Sequence, residues 1–257
     1  MSSGPSADTL AQGPLTRRLT PPRLQSLAER DVHAVEEMDR FDCDPVKLQR
    51  TYAQFWLINF VVSGWRRNYV QYLRPRFETG RTNTLLDIGS GGGDVPRMLA
   101  RWARRDGLRL EVTGIDPDER AHTFASSRAA LPGLKFRQAF SSELVAEGRT
   151  YDVVISNHVL HHLAQEQFRS LLADSEQLAR RLSLHSDIER SRWGYALFSA
   201  GTLPFFPGSF IRQDGLTSIR RSYTAAELAA ASPPGWTCVQ HRPWQNLLLQ
   251  VPGGGRP

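Results

Sequence analysis

Apolar residues recur along this chain in two alternating rhythms. Leu48, Tyr52, Phe55, Asn59 and Val62 follow at intervals of three and four, which puts one mostly apolar stripe on a helix predicted from Asp44-Pro45 to about Leu73. At Thr84 the texture changes. Leu85-Leu86-Asp87-Ile88 is a short apolar run ending in Gly89-Ser90-Gly91-Gly92-Gly93, a strand that enters a tight loop. Val95, Met98, Leu99, Trp102 and Ala103 then fit one face of a helix, with Asp94 as its predicted cap. Further runs predict strands over Leu110–Ile115, Leu134–Gln138, Asp152–Ser156 and Arg181–Ser186. Phe168, Leu171, Leu172, Ser175 and Leu178 mark the helix before the last of these. Strands and helices alternating at this spacing imply a parallel sheet covered on both faces.

Other segments do not share the rhythm. Residues 1–22 are rich in Ser, Gly, Pro and Thr and read as a disordered leader. A helical N-terminal cap is expected over 23–80 and the sheet domain over 81–257. Trp193 to Phe210 is aromatic and broken by Gly194, Gly201, Pro204, Pro207 and Gly208, so an insertion at about 191–217 should pack over the sheet edge. Thr224-Ala225-Ala226-Glu227 is a capping box that opens another helix. Trp236–His241 and Gln245–Val251 form a closing hairpin across Pro243.

Composition narrows the class. With 257 residues, 40% hydrophobic and 23% charged, the chain suits a globular α/β protein and excludes collagen-like, coiled-coil or wholly disordered alternatives. No apolar run approaches the ~18–20 residues of a membrane span, and the N-terminus lacks a signal-peptide pattern. Cys43 and Cys238 stand far apart, which leaves no disulfide framework and fits a reducing cytoplasm. The net charge of +6 comes from 32 basic residues, of which only Lys47 and Lys135 are lysine. The arginines are scattered and no aromatic–basic motif accompanies them, so no nucleic-acid partner is expected.

In open α/β sheets, ligands bind at the carboxyl ends of the strands. Read from Gly89, a dinucleotide loop would need its third glycine at position 94, where this chain has Asp94. Asp87 and Asp94 would confront a diphosphate with two anions. Carboxylates suit a cationic ligand better, and S-adenosylmethionine carries an ammonium and a sulfonium but no phosphate.

Asp87-x-Gly89-x-Gly91-x-Gly93 resembles the first motif of class I S-adenosylmethionine-dependent methyltransferases. The resemblance extends over about Thr84 to Ser186 and puts Asp87, Gly89, Ser90 and Gly91 against the cofactor. Asp116-Pro117, at the end of the second strand, stands where that family binds both ribose hydroxyls. Tyr151 to His158 resembles the fourth-strand motif, so Asn157 and His158 would face the sulfonium. Where many relatives set an acidic residue against the adenine amino group, this chain has Phe140. Stacking on Phe140, with Ser141 or Ser142 as the polar partner, would replace it. Tyr52, Asn59, Ser63 and Gly64 are similar to the helix that closes over the cofactor in quinone-biosynthesis methyltransferases. Arg50–Arg66 and Asp187–Ser191 are similar to small bacterial methyltransferases encoded beside polyketide synthases. The resemblance implies a Rossmann-like fold of α/β class, with seven strands, an N-terminal helical cap and an aromatic insertion before the last strands.

The implied reaction is O- or C-methylation of a small, mostly apolar aromatic acceptor such as a polyketide or quinone precursor. A phenol or enol must lose its proton, a task for His158, for His185 or for Asp187, which closely follows His185. A packing role for His185 is an equal reading. His158, His161 and His162 have spacing that could seat a metal, but no carboxylate set accompanies them and none is expected. Arg220 and Arg221 read as a solvated pair or as substrate guides. Trp193, Tyr195, Phe198, Phe205, Phe206 and Phe210 line an acceptor pocket or pack a lid. The alternatives are a nucleic-acid methyltransferase, for which the Asn-Pro-Pro-Tyr type of sequence is missing after the fourth strand, and a non-catalytic cofactor-binding subunit. A homodimer is left open.

Overall fold

A computed structural model describes residues 27–61, 63–203 and 205–254. The expected leader, Val62 and Pro204 lie outside them. Seven strands form one sheet: β1 (Thr82–Ile88), β2 (Arg109–Asp116), β3 (Leu134–Gln138), β4 (Tyr151–Asn157), β5 (Ala179–Ile188), β6 (Thr237–His241) and β7 (Gln245–Gln250). The spatial order is β3-β2-β1-β4-β5-β7-β6. The first five are parallel, while β7 runs antiparallel to both β5 and β6. The strand order therefore reverses between β1 and β4, and their carboxyl ends frame a crevice. Nine α-helices lie among the described residues: α1 (Pro45–Val61), α2 (Trp65–Asn68), α3 (Asp94–Arg105), α4 (Glu119–Ser127), α5 (Ser141–Ala146), α6 (Gln165–Leu178), α7 (Arg192–Gly201), α8 (Ile211–Arg221) and α9 (Ala225–Ala231). Among the described residues, no helix is long and apolar enough to cross a membrane.

Strand periodicity divides the core. Leu85, Val112, Val153 and Leu247 point to one face and pack with Leu99 of α3, while their neighbours Leu86, Val154 and Leu248 point to the other and pack with Phe168 and Leu172 of α6. Each such buried side chain contributes about 1.5–3 kcal/mol. A third cluster joins Leu48 and Tyr52 of α1 to Ala121 of α4 and to Phe210.

The long helix expected to reach Leu73 is broken. Gly64 adopts a left-handed conformation (φ 61°), and a Cβ there would lie 2.8 Å from Gln245 Oε1. Beyond it α2 runs into a π-helical turn, Tyr69–Leu73, whose Tyr69 and Leu73 join Trp65 in the first core cluster. The half before Gly64 lies over the carboxyl ends of the strands instead. The cap of α3 also differs from expectation: left-handed Gly93 precedes the helix, and Asp94 is its first residue, ion-paired to Arg128 at 2.5 Å. The fifth strand is longer than predicted and includes Asp187. Residues 191–217 hold α7 and the first part of α8, and the closing hairpin forms as expected.

At the amino ends of the parallel strands Asp152, buried at the start of β4, accepts hydrogen bonds from Arg81 Nη1 (3.0 Å) and Nη2 (2.8 Å) and from the Thr84 N–H (2.8 Å). Burial alone would raise its pKa; these bonds and the Arg180 charge outweigh it and hold the carboxyl at about 2. An unfolded Asp titrates near ~3.9. Its stabilising contribution is therefore complete above that value and lost as pH falls toward 2. Melting temperatures should fall more steeply in this window for the natural chain than for Asp152→Asn; parallel curves would refute the assignment.

Candidate active site

The crevice is built first by the turn after β1. Gly89 and Ser90 N–H donate to the Ile115 carbonyl at 2.8 and 2.9 Å, folding the loop over the end of β2. Gly89 is left-handed (φ 70°), and a Cβ there would sit 2.6 Å from Val159 Cγ2. Asp116 closes β2. Its Oδ2 accepts from the Gly91 N–H and its Oδ1 from the Asp118 N–H, both at 2.9 Å. Burial nevertheless pushes its pKa up.

Asp87 lies beside it, 1% exposed, and its Oδ1 has no hydrogen-bond partner. Burial and then the Asp116 charge raise its pKa well above the carboxylate range. A buried acceptor without a donor is costly and calls for a cation or an N–H donor from a ligand. Asp94 differs from the sequence expectation, because Arg128 supplies its counter-charge. Of the two acids expected to repel a diphosphate, only Asp87 remains unmatched.

The end of β4 forms the opposite wall. Asn157 Oδ1 accepts from Trp65 Nε1 (2.9 Å), and its Nδ2 donates to Asn59 Oδ1 (3.1 Å), so both halves of the cap grip one side chain. His158 is left-handed (φ 58°), a strained state for a residue with a Cβ, and its N–H donates to the Ser186 carbonyl. Burial pulls its imidazole pKa down to about 4, so the ring is neutral at pH 7.

From these residues a cavity of about 710 Å³ continues beneath the cap and insertion. Its far lobe is walled by Leu197, Phe198, Phe205, Phe206, Ile211 and Ile219. Polar groups enter from segments without sequence periodicity. Buried Glu36 accepts from Ser218 Oγ (2.7 Å) and faces the Nε2 atoms of His161 (3.4 Å) and His162 (3.6 Å). His161 Nδ1 donates to Asp187 (2.6 Å), and His162 Nδ1 to Asp39 (3.0 Å). Burial would lower the His161 pKa, but Asp187 and Glu36 raise it to about 9. Asp214 accepts from the N–H groups of Glu37 and Met38, and burial lifts its carboxyl to about 7.

Tyr52, Asp87, Gly89, Ser90, Gly91, Asp116, Pro117, Asn157 and His158 all border this cavity. Phe140 does not: it is 61% exposed, preceding α5. His185 is buried within β5, hydrogen-bonded through Nδ1 to Ser156 and packed on Trp236, and does not border the cavity. Phe198, Phe205 and Phe206 border it, whereas Trp193 is exposed and Phe210 packs under α1. Arg221 donates to the carbonyls of His161 and His162. The histidines also acquire a carboxylate partner, Glu36, that no local motif announced.

The reversal of strand order, the glycine turn and the acid ending β2 define a Rossmann-like α/β domain. Residues 85–181 match the family described as methyltransferase domain. Curated relatives include the ubiquinone biosynthesis O-methyltransferases of Rhizobium leguminosarum bv. trifolii, 35% identical over 33% of this chain and 32% of that protein, and of Caulobacter vibrioides, 40% identical over 32% and 31%. The chain thus matches about a third of these relatives' length. Among solved structures, the CurJ carbon methyltransferase aligns with a TM-score of 0.57 at 18% identity, covering 83% of this chain and 62% of that one. The DszA carbon methyltransferase aligns at 0.52 and 15%, over 78% and 55%. Both likenesses concern the fold. Residues 85–181 of this chain therefore carry a methyltransferase domain.

Proposed function

We propose that this protein transfers the methyl group of S-adenosylmethionine to an oxygen or carbon of a small, mostly apolar aromatic acceptor, phenolic or quinone-like. One observation carries the reading: a single cavity joins the Asp87–Asp116 end of the sheet to a lobe walled by Phe198, Phe205 and Phe206. The donor end fits the cofactor. Asp116 would hold the ribose hydroxyls, the unpartnered Asp87 Oδ1 would accept from the ammonium, and the Gly89–Gly91 backbone leaves room for close approach.

When bound, the cofactor supplies a methyl group already activated on a sulfonium. The protein's part is then alignment, which can provide roughly 7–11 kcal/mol of the barrier. Neutral His158 adds no positive charge beside the sulfonium. Because it borders the cavity and His185 does not, His158 is the residue we assign to take the acceptor's proton. Asn157, gripped by Asn59 and Trp65, orients the cap over both reactants, and the cap excludes water.

Charge selects the acceptor. Among the described residues bordering the cavity are Glu36, Asp39, Asp118 and Asp214, and no lysine or arginine. An anionic acceptor would find no lysine or arginine in the wall, which favours neutral phenols and quinols and disfavours nucleic acid. Both cysteines are free, in keeping with a cytoplasmic enzyme.

Ligand-induced thermal shifts test the reading. S-adenosylhomocysteine at ~100 times its dissociation constant should add ~2.7 kcal/mol of stability, and NAD none. Radiolabelled methyl should then appear in phenols or quinols and not in tRNA or DNA. Stabilisation by NAD alone, or labelling confined to RNA, would overturn the proposal.

A further inference from the structure

We propose that Glu36, His161 and His162 form a binding site for one divalent metal ion of the zinc class, open to the acceptor lobe of the cavity. The proposal goes beyond methyl transfer. Binding of the ion is independent of that reading; only the use made of the ion rests on it.

The spacing is that of a coordination sphere. Ligands at 2.0–2.2 Å from a tetrahedral ion lie roughly 3.3–3.6 Å from each other. Glu36 Oε1 stands 3.4 Å from His161 Nε2 and 3.6 Å from His162 Nε2, and the three ligand atoms all lie within 4.8 Å of one another. Two imidazoles and one carboxylate make a nitrogen–oxygen donor set suited to zinc, with a fourth position left for water or substrate.

The atoms behind the ligands agree. His161 Nδ1 donates to Asp187 and His162 Nδ1 donates to Asp39, so each ring is turned with Nε2 toward Glu36. Carboxylates placed behind metal-bound histidines do this work: they fix the tautomer and raise ligand basicity. Ser218 Oγ holds the Glu36 carboxylate. Arg221 reaches only the carbonyls of the two histidines and leaves the rings free of a competing cation.

A second observation is independent of the spacing. His161 is 2% exposed, and its Nε2 has no hydrogen-bond partner, because its approach to Glu36 lacks hydrogen-bond alignment. A buried ring nitrogen aimed at a carboxylate without bonding to it is accounted for by an ion between them. A simple ion-pair network would have turned that N–H onto the oxygen.

Glu36 and His162 border the cavity and His161 lies behind them, so the open coordination position faces the acceptor lobe. An acceptor hydroxyl bound there would become more acidic, so that even neutral His158, a weak base on the same cavity, could take its proton.

Cobalt provides the test. The full chain, free of any histidine tag, is titrated with Co2+ and watched for the intense visible bands of four-coordinate cobalt, with zinc stoichiometry measured in parallel. One ion per chain is expected. Glu36→Gln and His162→Ala should each weaken binding at least about 100-fold. Asp39→Asn alters only an exposed partner and should weaken it about 10–100-fold. Melting curves establish that the variants are folded. Absence of the bands in the folded natural chain, or equal affinity in Asp39→Asn and His162→Ala, would overturn the site. Because no methyl transfer is measured, failure of the functional reading would leave the cobalt spectrum unchanged.

Discussion

Asp116→Ala should weaken S-adenosylhomocysteine binding by roughly 10-fold or more. A hydrogen bond to a charged group contributes about 1.5–3 kcal/mol, which corresponds to roughly 10–150-fold in affinity. The same carboxylate also accepts the Gly91 and Asp118 N–H groups, so its removal frees the loop that would meet the cofactor. Asp116→Asn keeps one acceptor oxygen and should fall between the two. Calorimetric titration of folded variants decides the matter, and unchanged affinity in the alanine variant would remove Asp116 from the site.

Gly93→Ala should be the most destabilising single change in the loop. A Cβ there would meet Phe136 Cζ at 2.4 Å, and its φ of 76° is left-handed. The backbone cost is about 1–2 kcal/mol and overpacking adds about 1–3 kcal/mol. The same ring also packs closely on Gly114, where a Cβ would meet it at 2.8 Å. Gly114 is not left-handed, so Gly114→Ala should carry only the packing part. Urea unfolding in a Phe136→Ala background should recover the packing part at Gly93, leaving its backbone part, and recover the ring's share at Gly114, where Ser90 Oγ at 2.9 Å still crowds the new methyl. Equal losses in both backgrounds would show that the ring is not the obstacle.

Most of the sheet was legible because its strands are buried on both faces. Runs such as Leu85 to Ile88 and Val153 to Ile155 have no polar alternation to mislead. The donor end was legible for a related reason: its glycines and Asp116 lie within a few residues of strand ends, where sequence order and spatial order coincide. The break at Gly64 was not read, because Trp65, Tyr69, Tyr72 and Leu73 continue the helical spacing across it. Periodicity reports which face is apolar; it is silent on whether both segments face the same partner. Glu36 was out of reach of any local pattern, since only tertiary folding carries it to His161 and His162. The extra helices over Glu119–Ser127 and Ser141–Ala146 are short, with weak stripes, and left little signal.

The left-handed Gly64 has a consequence for how such a chain can diversify. It is a seam between two kinds of sequence constraint. After it, Trp65 and Tyr69 are locked into the sheet's core, where a lost methylene is felt throughout. Before it, Phe55 and Ile58 meet the cavity, as do Leu197 and Phe198 of the insertion. These two patches can be exchanged together, by drift or by grafting, while the cofactor half is inherited intact. On the proposed function, new acceptor preferences would arise as paired replacements on either side of an unchanged sheet, and Asn157 is the point at which each new cap must register.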